Sequence, residues 1–190
     1  MNIQKFTQKS VEAINNCEKL AYDYGNQEIE QEHLLVALLQ QEEGLIPKLI
    51  EKMEIDVQHF TQNAISKLDA RVKVSGSNSN VYVGKDLNNV LIHAEDEAKA
   101  MGDEYVSVEH IFLALMKEYG LTRERFLQAL STVRGNQRVT SDNPEATYDT
   151  LEKYGYDMVE RARQQKLDPV IGRDEEIRNV AVSYTHLRAH

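Results

Sequence analysis

The sequence is poor in the residues that several classes of protein need. A single cysteine, Cys17, permits neither an internal disulfide nor a zinc cage, which favours a reducing compartment. Nowhere do 18 apolar residues run together, and the N-terminus lacks the apolar core of a signal peptide. We therefore expect a soluble, cytoplasmic protein that does not enter a membrane.

Basic residues are also scarce. The chain has 22 Lys and Arg against 31 Asp and Glu, which gives a net charge of −9, and no stretch forms a basic stripe. Sequence-independent binding to nucleic acid draws on clustered Lys and Arg. Nucleic acid is therefore not an expected partner.

What remains is the composition of an ordinary globular protein. Hydrophobic residues make up 41% of the chain and charged residues 28%, close to globular averages. A length of 190 residues allows one domain of usual size, or a compact domain with an appended piece. The chain can therefore bury a sizeable core.

One unit occurs twice in the sequence. The segments GNQEIEQEHLLVALL, starting at Gly25, and GDEYVSVEHIFLALM, starting at Gly102, align at an offset of 77 residues. The match extends back to Ala21 and Ala98 at the same offset. A period of this length covers a whole helical subdomain, and stacking two copies buries apolar faces that neither could bury alone. We predict an all-α fold built from a tandem duplicated helical repeat.

Apolar residues at helical spacing predict the individual helices. Gly25 is expected to end the first helix at a position that tolerates positive φ, and Ser107 to cap the helix that carries EHIFLALM. The later predicted helices cover about 30–41, 45–53, 57–68, 85–101 and 122–133.

Turn-rich stretches divide the chain into six predicted segments. The run VSGSNSN reads as a flexible connector, and the polar run after Arg134, interrupted by Pro144, has a linker's composition. The final AVSYTHLRAH departs in style from what precedes it, so we expect a non-native tail. The segments are 1–73 (repeat one), 74–80 (connector), 81–135 (repeat two), 136–148 (linker), 149–180 (an appended piece too short to form a core) and 181–190 (tail).

These motifs together resemble the N-terminal region of the Clp ATPases, most closely the ClpB-type protein disaggregases. The resemblance is carried by the two EH segments, by LEKYGYDMVERARQQ and by KLDPVIGRDEEIR, and it covers about residues 1–180. It implies a double Clp repeat domain followed by the truncated start of the first AAA+ module. There, Val170 and Ile171 would edge the adenine pocket.

The resemblance also implies a larger parent protein. That parent would be a cytoplasmic, ring-forming homo-oligomer, expected to be a hexamer, that uses ATP and Mg to extract polypeptides from aggregates together with DnaK-type chaperones. The present residues lack a phosphate-binding loop, because the pair Gly84-Lys85 is followed by Asp86 and Ser79 replaces the leading glycine. We expect no ATPase activity and no cofactor for these residues themselves, which should be monomeric.

Other site chemistries have weak support in the sequence. Neither His33 nor His110 has a second histidine four residues later, so the EH pairs do not match a helical zinc site and are interpreted as structural, joining helix starts to neighbouring backbone. The same interpretation applies to His59 and His93. Cys17 lies on the apolar face of the first helix, where a thiol is usually inert. We predict neither a catalytic nor a metal site.

Recognition of exposed apolar peptide is the favoured function. Stacked repeats leave grooves at their seam, and unfolded chains expose segments that fill such grooves. In ClpB-type relatives, positions that match Thr7, Asp103 and Glu109 are tied to chaperone function near this seam, so the resemblance implies a role for them in binding unfolded or aggregated polypeptide. Glu109 and Asp103 could instead stabilise a helix start and a turn.

The alternative function is docking of one folded adaptor, as in proteolytic Clp ATPases. His93, Glu97 and His110 are polar where some relatives place apolar residues, so we expect the groove to bind weakly or to be displaced. Both hypotheses predict a binding module.

Overall fold

A computed structural model describes residues 3–74, 80–135, 137–144 and 148, with a few isolated positions after residue 150. The chain divides into two compact units, 1–150 and 151–190. Nearly all of the second unit lies outside the described residues, and so do Val170 and Ile171. Most of the predicted AAA+ start and nearly all of the predicted tail also lie outside the described residues.

The first unit is helical, as the repeats predict. Its helices within the described ranges are α1 (Gln8–Tyr24), α2 (Gln31–Leu39), α3 (Leu45–Lys52), α4 (Val57–Asp69), α5 (Lys85–Met101), α6 (Val108–Leu115) and α7 (Arg123–Arg134). Two short strands, β1 (Glu28–Ile29) and β2 (Tyr82–Val83), accompany them. The predicted all-α class is confirmed, and α5 has the predicted bounds.

The two copies begin in the same way. Helices α1 and α5 both have 17 residues and end at glycines, Gly25 with φ 70° and Gly102 with φ 72°. These left-handed conformations are the ones that glycine adopts without steric penalty, and the cap N–H groups satisfy carbonyls of the last turn. Each glycine therefore ends its helix as predicted.

The copies exchange strands. Strand β1, which follows α1, pairs in parallel with β2, which precedes α5, with Ile29 opposite Val83. The bridge between Phe6 and Val106 is the same pairing with the two copies interchanged. Each copy thus completes the other, so residues 1–73 and 81–135 form one intertwined unit rather than two stacked ones.

The core is centred on α2 and α6. All six side chains from Leu34 to Leu39 are buried, and on α6 Ile111, Phe112, Leu113 and Leu115 are buried as well. The Phe112 ring lies 5.1 Å from the Phe126 ring, centroid to centroid, which joins α6 to α7. Each fully buried side chain of this kind contributes about 1.5–3 kcal/mol. Continuous apolar runs therefore form the central helices.

The second copy is shorter than the constant offset implies. Asp56 caps α4 and Thr122 occupies the N-cap of α7, a spacing of 66 residues rather than 77. The missing length corresponds to α3, and a short 3-10 turn at Met116–Tyr119 takes its place. In compensation, α3 packs against α7 of the second copy, where Arg125 Nη2 donates to Met53 O over 2.6 Å.

The globular unit also extends past its predicted end. The sequence places that end near Gly135, but residues after it return to the surface of the second copy. The Glu104 N–H donates to Val139 O (2.9 Å), the Gln8 N–H donates to Asp142 O (2.7 Å), and Val139 is fully buried. We call residues 137–144 and Tyr148 the strap. Its polar composition is typical of a linker, yet the described part is docked.

Candidate functional site

The two EH histidines occupy the third position of α2 and α6. His33 Nδ1 accepts from the Glu30 N–H, and His110 Nδ1 accepts from the Ser107 N–H, both over 3.0 Å. This is the backbone-directed half of a capping box, with histidine in place of the usual glutamate. The structural interpretation of the EH pairs is confirmed.

The second ring nitrogen of each histidine reaches back to the residue after the preceding helix's terminal glycine. His33 Nε2 lies 3.1 Å from Asn26 Oδ1, and His110 Nε2 lies 2.9 Å from Asp103 Oδ2. Since Nδ1 is an acceptor in both rings, Nε2 carries the hydrogen and donates. Burial lowers the pKa of His33. The histidine ring therefore contacts a neutral amide in the first copy and a carboxylate in the second.

Thr7 is fully buried at the N-cap of α1. Its Oγ1 accepts from the Ser10 N–H over 3.3 Å, and its own N–H donates to Val106 O over 3.0 Å. The residue therefore satisfies helix-start donors and ties α1 to the second copy.

Asp103 lies at the centre of a buried charged network. It accepts from His110, from Arg134 Nη2 and from the Val139 N–H (2.8 Å), and its side chain has no exposed surface. Burial raises the pKa of Asp103, but the hydrogen bonds from these three donors outweigh it and hold the pKa at about 2. The carboxylate is ionised, and Arg134 is its counter-charge.

Glu109 belongs to the same network. Its side chain is fully buried, with Oε1 3.4 Å from Arg134 Nη1 and 3.3 Å from the Tyr148 hydroxyl, which donates. Its Oε2 has no hydrogen-bond partner among the described residues. We give the name latch to three buried charged residues, Asp103, Glu109 and Arg134. Burying them costs free energy unless their charges stay paired.

Within the described ranges, the first copy has no equivalent of the latch. Leu68 and Arg134 both lie twelve residues after the N-cap of their helix, and the counterparts of Asp103 and Glu109 are Asn26 and Glu32. Glu32 is only partly buried and pairs with Arg71 over 2.8 Å. Within the described ranges, the buried charged network of the latch is thus found in the second copy, whereas the charged pair of the first copy is partly exposed.

The three residues implicated by resemblance therefore lie close to the path of the strap rather than on an open surface. Asp103 and Glu109 contact it directly, and Thr7 precedes Gln8, which contacts it. Their expected role in binding polypeptide stays a prediction. In the described conformation, their burial leaves no surface for a direct contact.

A second buried carboxylate lies where the first copy meets α5. The Glu30 side chain is 8% exposed, and a Cβ built on Gly84 would come within 2.7 Å of its carboxyl group. Burial raises the pKa of Glu30 to about 7, nearby Arg71 opposes that shift, and Glu28 and Asp86 add to it. Glu30 therefore keeps its proton in mildly acidic solution and loses it as the pH rises through about 7.

This shift predicts a pH-dependent gain from Glu30→Gln. Between pH 4.5 and 7, the folded domain holds a proton that the unfolded chain releases, so wild-type stability falls as the pH rises. We expect the free energy of unfolding of Glu30→Gln to exceed that of the wild type by about 2 kcal/mol at pH 8 and to equal it at pH 4. Urea denaturation at the two pH values measures the difference.

Glu12→Gln, an exposed substitution on α1, is the control for a general change in net charge. A constant difference between Glu30→Gln and the wild type at both pH values would contradict the prediction.

Described residues line clefts at the seam between the copies, and two of these clefts carry charged side chains. One is lined by Lys9, Gln41, Glu43, Gly44, Leu45 and Lys48 of the first copy, with Val108 and Tyr148. The other is lined by Lys52, Met53, Glu54, Arg125, Gln128, Ala129 and Thr132. Many of the apolar side chains near the seam are buried in the shared core. The predicted binding of polypeptide in a groove at the seam stays a prediction.

Exposed apolar side chains gather elsewhere, around the C-terminal end of α1. Of eight large hydrophobic residues exposed among the described positions, five lie in the first copy, in the connector or at the start of the second copy. They are Tyr22 (58% exposed), Val72 (84%), Val74 (42%), Tyr82 (52%) and Val83 (56%). We call these five residues the apolar patch.

Backbone contacts hold the patch together. The Val74 N–H donates to Gly25 O (2.8 Å), and the Tyr82 N–H donates to Gln27 O (3.0 Å). Sequence reasoning did not identify this surface. The available signal was the presence of β-branched and aromatic residues immediately on either side of a polar connector, outside any helical period.

Other candidates from the sequence have simple structural positions. Gly84 and Lys85 begin α5, as predicted for the Gly-Lys pair. Burial raises the pKa of Cys17 to about 12, and its thiol donates to the Ala13 carbonyl. Glu97 forms a bidentate pair with Arg123, with both distances 2.6 Å. Within the described ranges, no helix is long and apolar enough to cross a membrane.

Comparison with known proteins identifies the family. The profile of the Clp repeat (R) N-terminal domain matches residues 5–130. The chaperone protein ClpB of Nitratidesulfovibrio vulgaris strain Hildenborough is 47% identical over 95% of this chain. The match spans only 22% of that relative's length.

Solved structures agree on the fold. The Hsp104 N-terminal domain from Candida albicans superposes with a TM-score of 0.65 at 22% identity, covering 74% of this chain and 98% of that one. A ClpV N-domain in complex with a VipB peptide gives 0.52 at 17% identity, with coverages of 80% and 90%. The chain belongs to the Clp repeat N-terminal domain family, and it corresponds to the N-terminal region of ClpB chaperones.

Proposed function

We propose that this domain captures exposed apolar segments of unfolded or aggregated polypeptide for a longer ClpB-type ATPase. The observation that carries the proposal is the apolar patch, with four of its five side chains more than half exposed. Clustered exposed hydrophobic side chains on a soluble domain are typical of interaction surfaces. The ATP, Mg and DnaK-type partners implied by the family belong to the parent protein.

The patch suits weak and reversible binding. Its residues are 42–84% exposed, so a client segment bound to them would remain partly solvated. A tethered module raises the local concentration of client without requiring tight contacts. Weak capture also favours release to whatever acts next on the client.

The test is a triple substitution in the patch. We expect Tyr22→Ser, Val72→Ser and Tyr82→Ser together to weaken binding of reduced, carboxymethylated α-lactalbumin by about tenfold, because each removes exposed apolar contact area. Fluorescence anisotropy with the labelled client measures binding, and circular dichroism checks the fold.

The matched control changes exposed apolar residues away from the patch. Ile3→Ser with Ile92→Ser removes two side chains that are each 50% exposed, and should leave binding unchanged. Equal loss in both variants, or no loss in the triple variant, would reject the patch as the binding surface. A saturable one-to-one complex with a folded adaptor, and no affinity for the unfolded client, would favour adaptor docking instead.

A further inference from the structure

We give the name tether to the chain that follows Arg134. We propose that the strap is a part of the tether that can be released: the latch holds it on the second copy, and it can open while the remaining domain stays folded. Asp103 and Glu109 then act on the length of the tether rather than on a client. This inference concerns the chain after Arg134, and it does not depend on which surface binds polypeptide.

The first step of the argument is the thinness of the strap's docking. Of residues 137–144, only Val139 and Pro144 are buried, and the other six are exposed. The strap therefore buries far less apolar surface per residue than a core helix does. Segments with little apolar burial and exposed backbone open locally at lower free energy than the whole domain.

The second step is that the latch supplies what packing does not. Arg134 is fixed by Asp103 and Glu109, and its Nε donates to Gln137 O over 2.5 Å. Asp103 also accepts from the Val139 N–H, and Glu109 accepts from the Tyr148 hydroxyl. The buried charges therefore contact the strap at its beginning, in its middle and at Tyr148.

The first copy shows the fixed version of the same connection. After α4, the Val74 N–H donates to Gly25 O and Asn26 Nδ2 donates to Val72 O, while the charged contact there, Arg71 to Glu32 over 2.8 Å, is partly exposed rather than buried. That connection then enters β2 and α5, so the fold itself holds both of its ends. Among the described residues of its own unit, the strap ends at Tyr148, a helical position whose hydroxyl donates to Glu109, so a charged latch takes the place of that second anchor.

Release would change the reach of the domain. With the strap docked, contacts hold residues 137–144 and Tyr148, whereas opening releases the chain between the end of α7 and Tyr148. A flexible segment of that length adds on the order of 20 Å of root-mean-square reach. The same client affinity would then act over a larger volume.

Native-state hydrogen exchange on the 190-residue chain tests this inference. The amides of Glu104 and Gln8 donate to the strap, while the neighbouring Asp103 amide donates to Ala98 O in the helix cap. We expect Val139→Ser to accelerate exchange at Glu104 and Gln8 by about tenfold while leaving Asp103 unchanged. Asp142→Ala, at an exposed position that contacts Gln8 Nε2 over 2.9 Å, should accelerate Gln8 in the same way without threatening the core.

Val72→Ser, a change of the same kind after α4 in the first copy, is the control and should leave all three amides unchanged. Acceleration of the Asp103 amide together with Glu104 and Gln8 would show that the strap is part of the cooperative fold, and would overturn the proposal. So would unchanged exchange in both strap variants. Loss of client binding in Asp103→Asn with strap amides still protected would equally overturn it, because that residue would then act on the client.

Discussion

Replacing Arg134 with leucine should lower the free energy of unfolding by about 3–5 kcal/mol, because it leaves two buried carboxylates without their cation. Asp103 and Glu109 both have fully buried side chains, and among the described residues the Glu109 Oε2 already lacks a hydrogen-bond partner. Leucine itself is compatible with this site, since Leu68 occupies the equivalent position of the first copy and is fully buried. The expected loss is therefore one of charge pairing and not of shape.

A triple variant separates these two causes. Arg134→Leu combined with Asp103→Asn and Glu109→Gln removes all three charges and restores the neutral pair seen at Leu68 and Asn26. An asparagine at position 103 keeps an acceptor for His110, as Asn26 does for His33 over 3.1 Å. We expect the triple variant to recover at least half of the loss, because removing a whole buried charge network is often nearly neutral.

Urea denaturation followed by circular dichroism at pH 7 gives these free energies. A single variant within about 1 kcal/mol of the wild type would show that water reaches the carboxylates and that the network is not buried. A triple variant as unstable as the single one would assign the loss to packing.

The second large effect concerns Gly84, the N-cap of α5. Gly84→Thr should lower the free energy of unfolding by about 3 kcal/mol through overpacking. Its backbone, with φ −70° and ψ 160°, matches that of Thr7 in the other copy at −65° and 160°, so threonine is conformationally acceptable. The obstacle is Glu30, since a Cβ at position 84 would lie 2.7 Å from Glu30 Oε1 and 2.9 Å from Ile29 O.

The second copy shows the compensating change. There, the counterpart of Glu30 is Ser107, which has a short side chain, and the counterpart of Gly84 is Thr7. We therefore expect Glu30→Ser to rescue most of the stability lost in Gly84→Thr, because the two substitutions together would reproduce that serine and threonine arrangement and supply a helix cap. A double-mutant cycle in urea at pH 7 measures the coupling. Additive effects would mean that Glu30 moves aside and that the clash lies with the backbone.

Much of the helical architecture followed from the sequence. Apolar periodicity and helix-ending glycines predicted α5 with its observed bounds, and Gly25 and Gly102 end their helices in the expected conformation. The EH pairs were interpretable as helix-start contacts because no zinc spacing accompanied them. These features depend on neighbours in the chain, for which local sequence carries the information.

The exchanged strands were not predictable in the same way. Each named strand has two residues, too short to show a period of two, and its partner is more than fifty residues away. The constant offset of 77 concealed the loss of the α3 equivalent, because the motifs that define it all precede α3, whereas α4 and α7 align at an offset of 66. Such pairings are decided by which surfaces meet when the two copies fold together.

The sequence by itself determined a duplicated helical domain, since that conclusion needs only local periodicity, end signals and one repeated motif. Its resemblance to known sequences indicated the Clp repeat family. Tertiary structure decided that Thr7, Asp103 and Glu109 are buried beside the strap and that the exposed apolar surface lies at the end of α1. The physical reason is that burial and charge pairing are properties of the assembled surfaces. A polar segment such as residues 137–144 has a linker's composition until the groups that bind it are brought alongside.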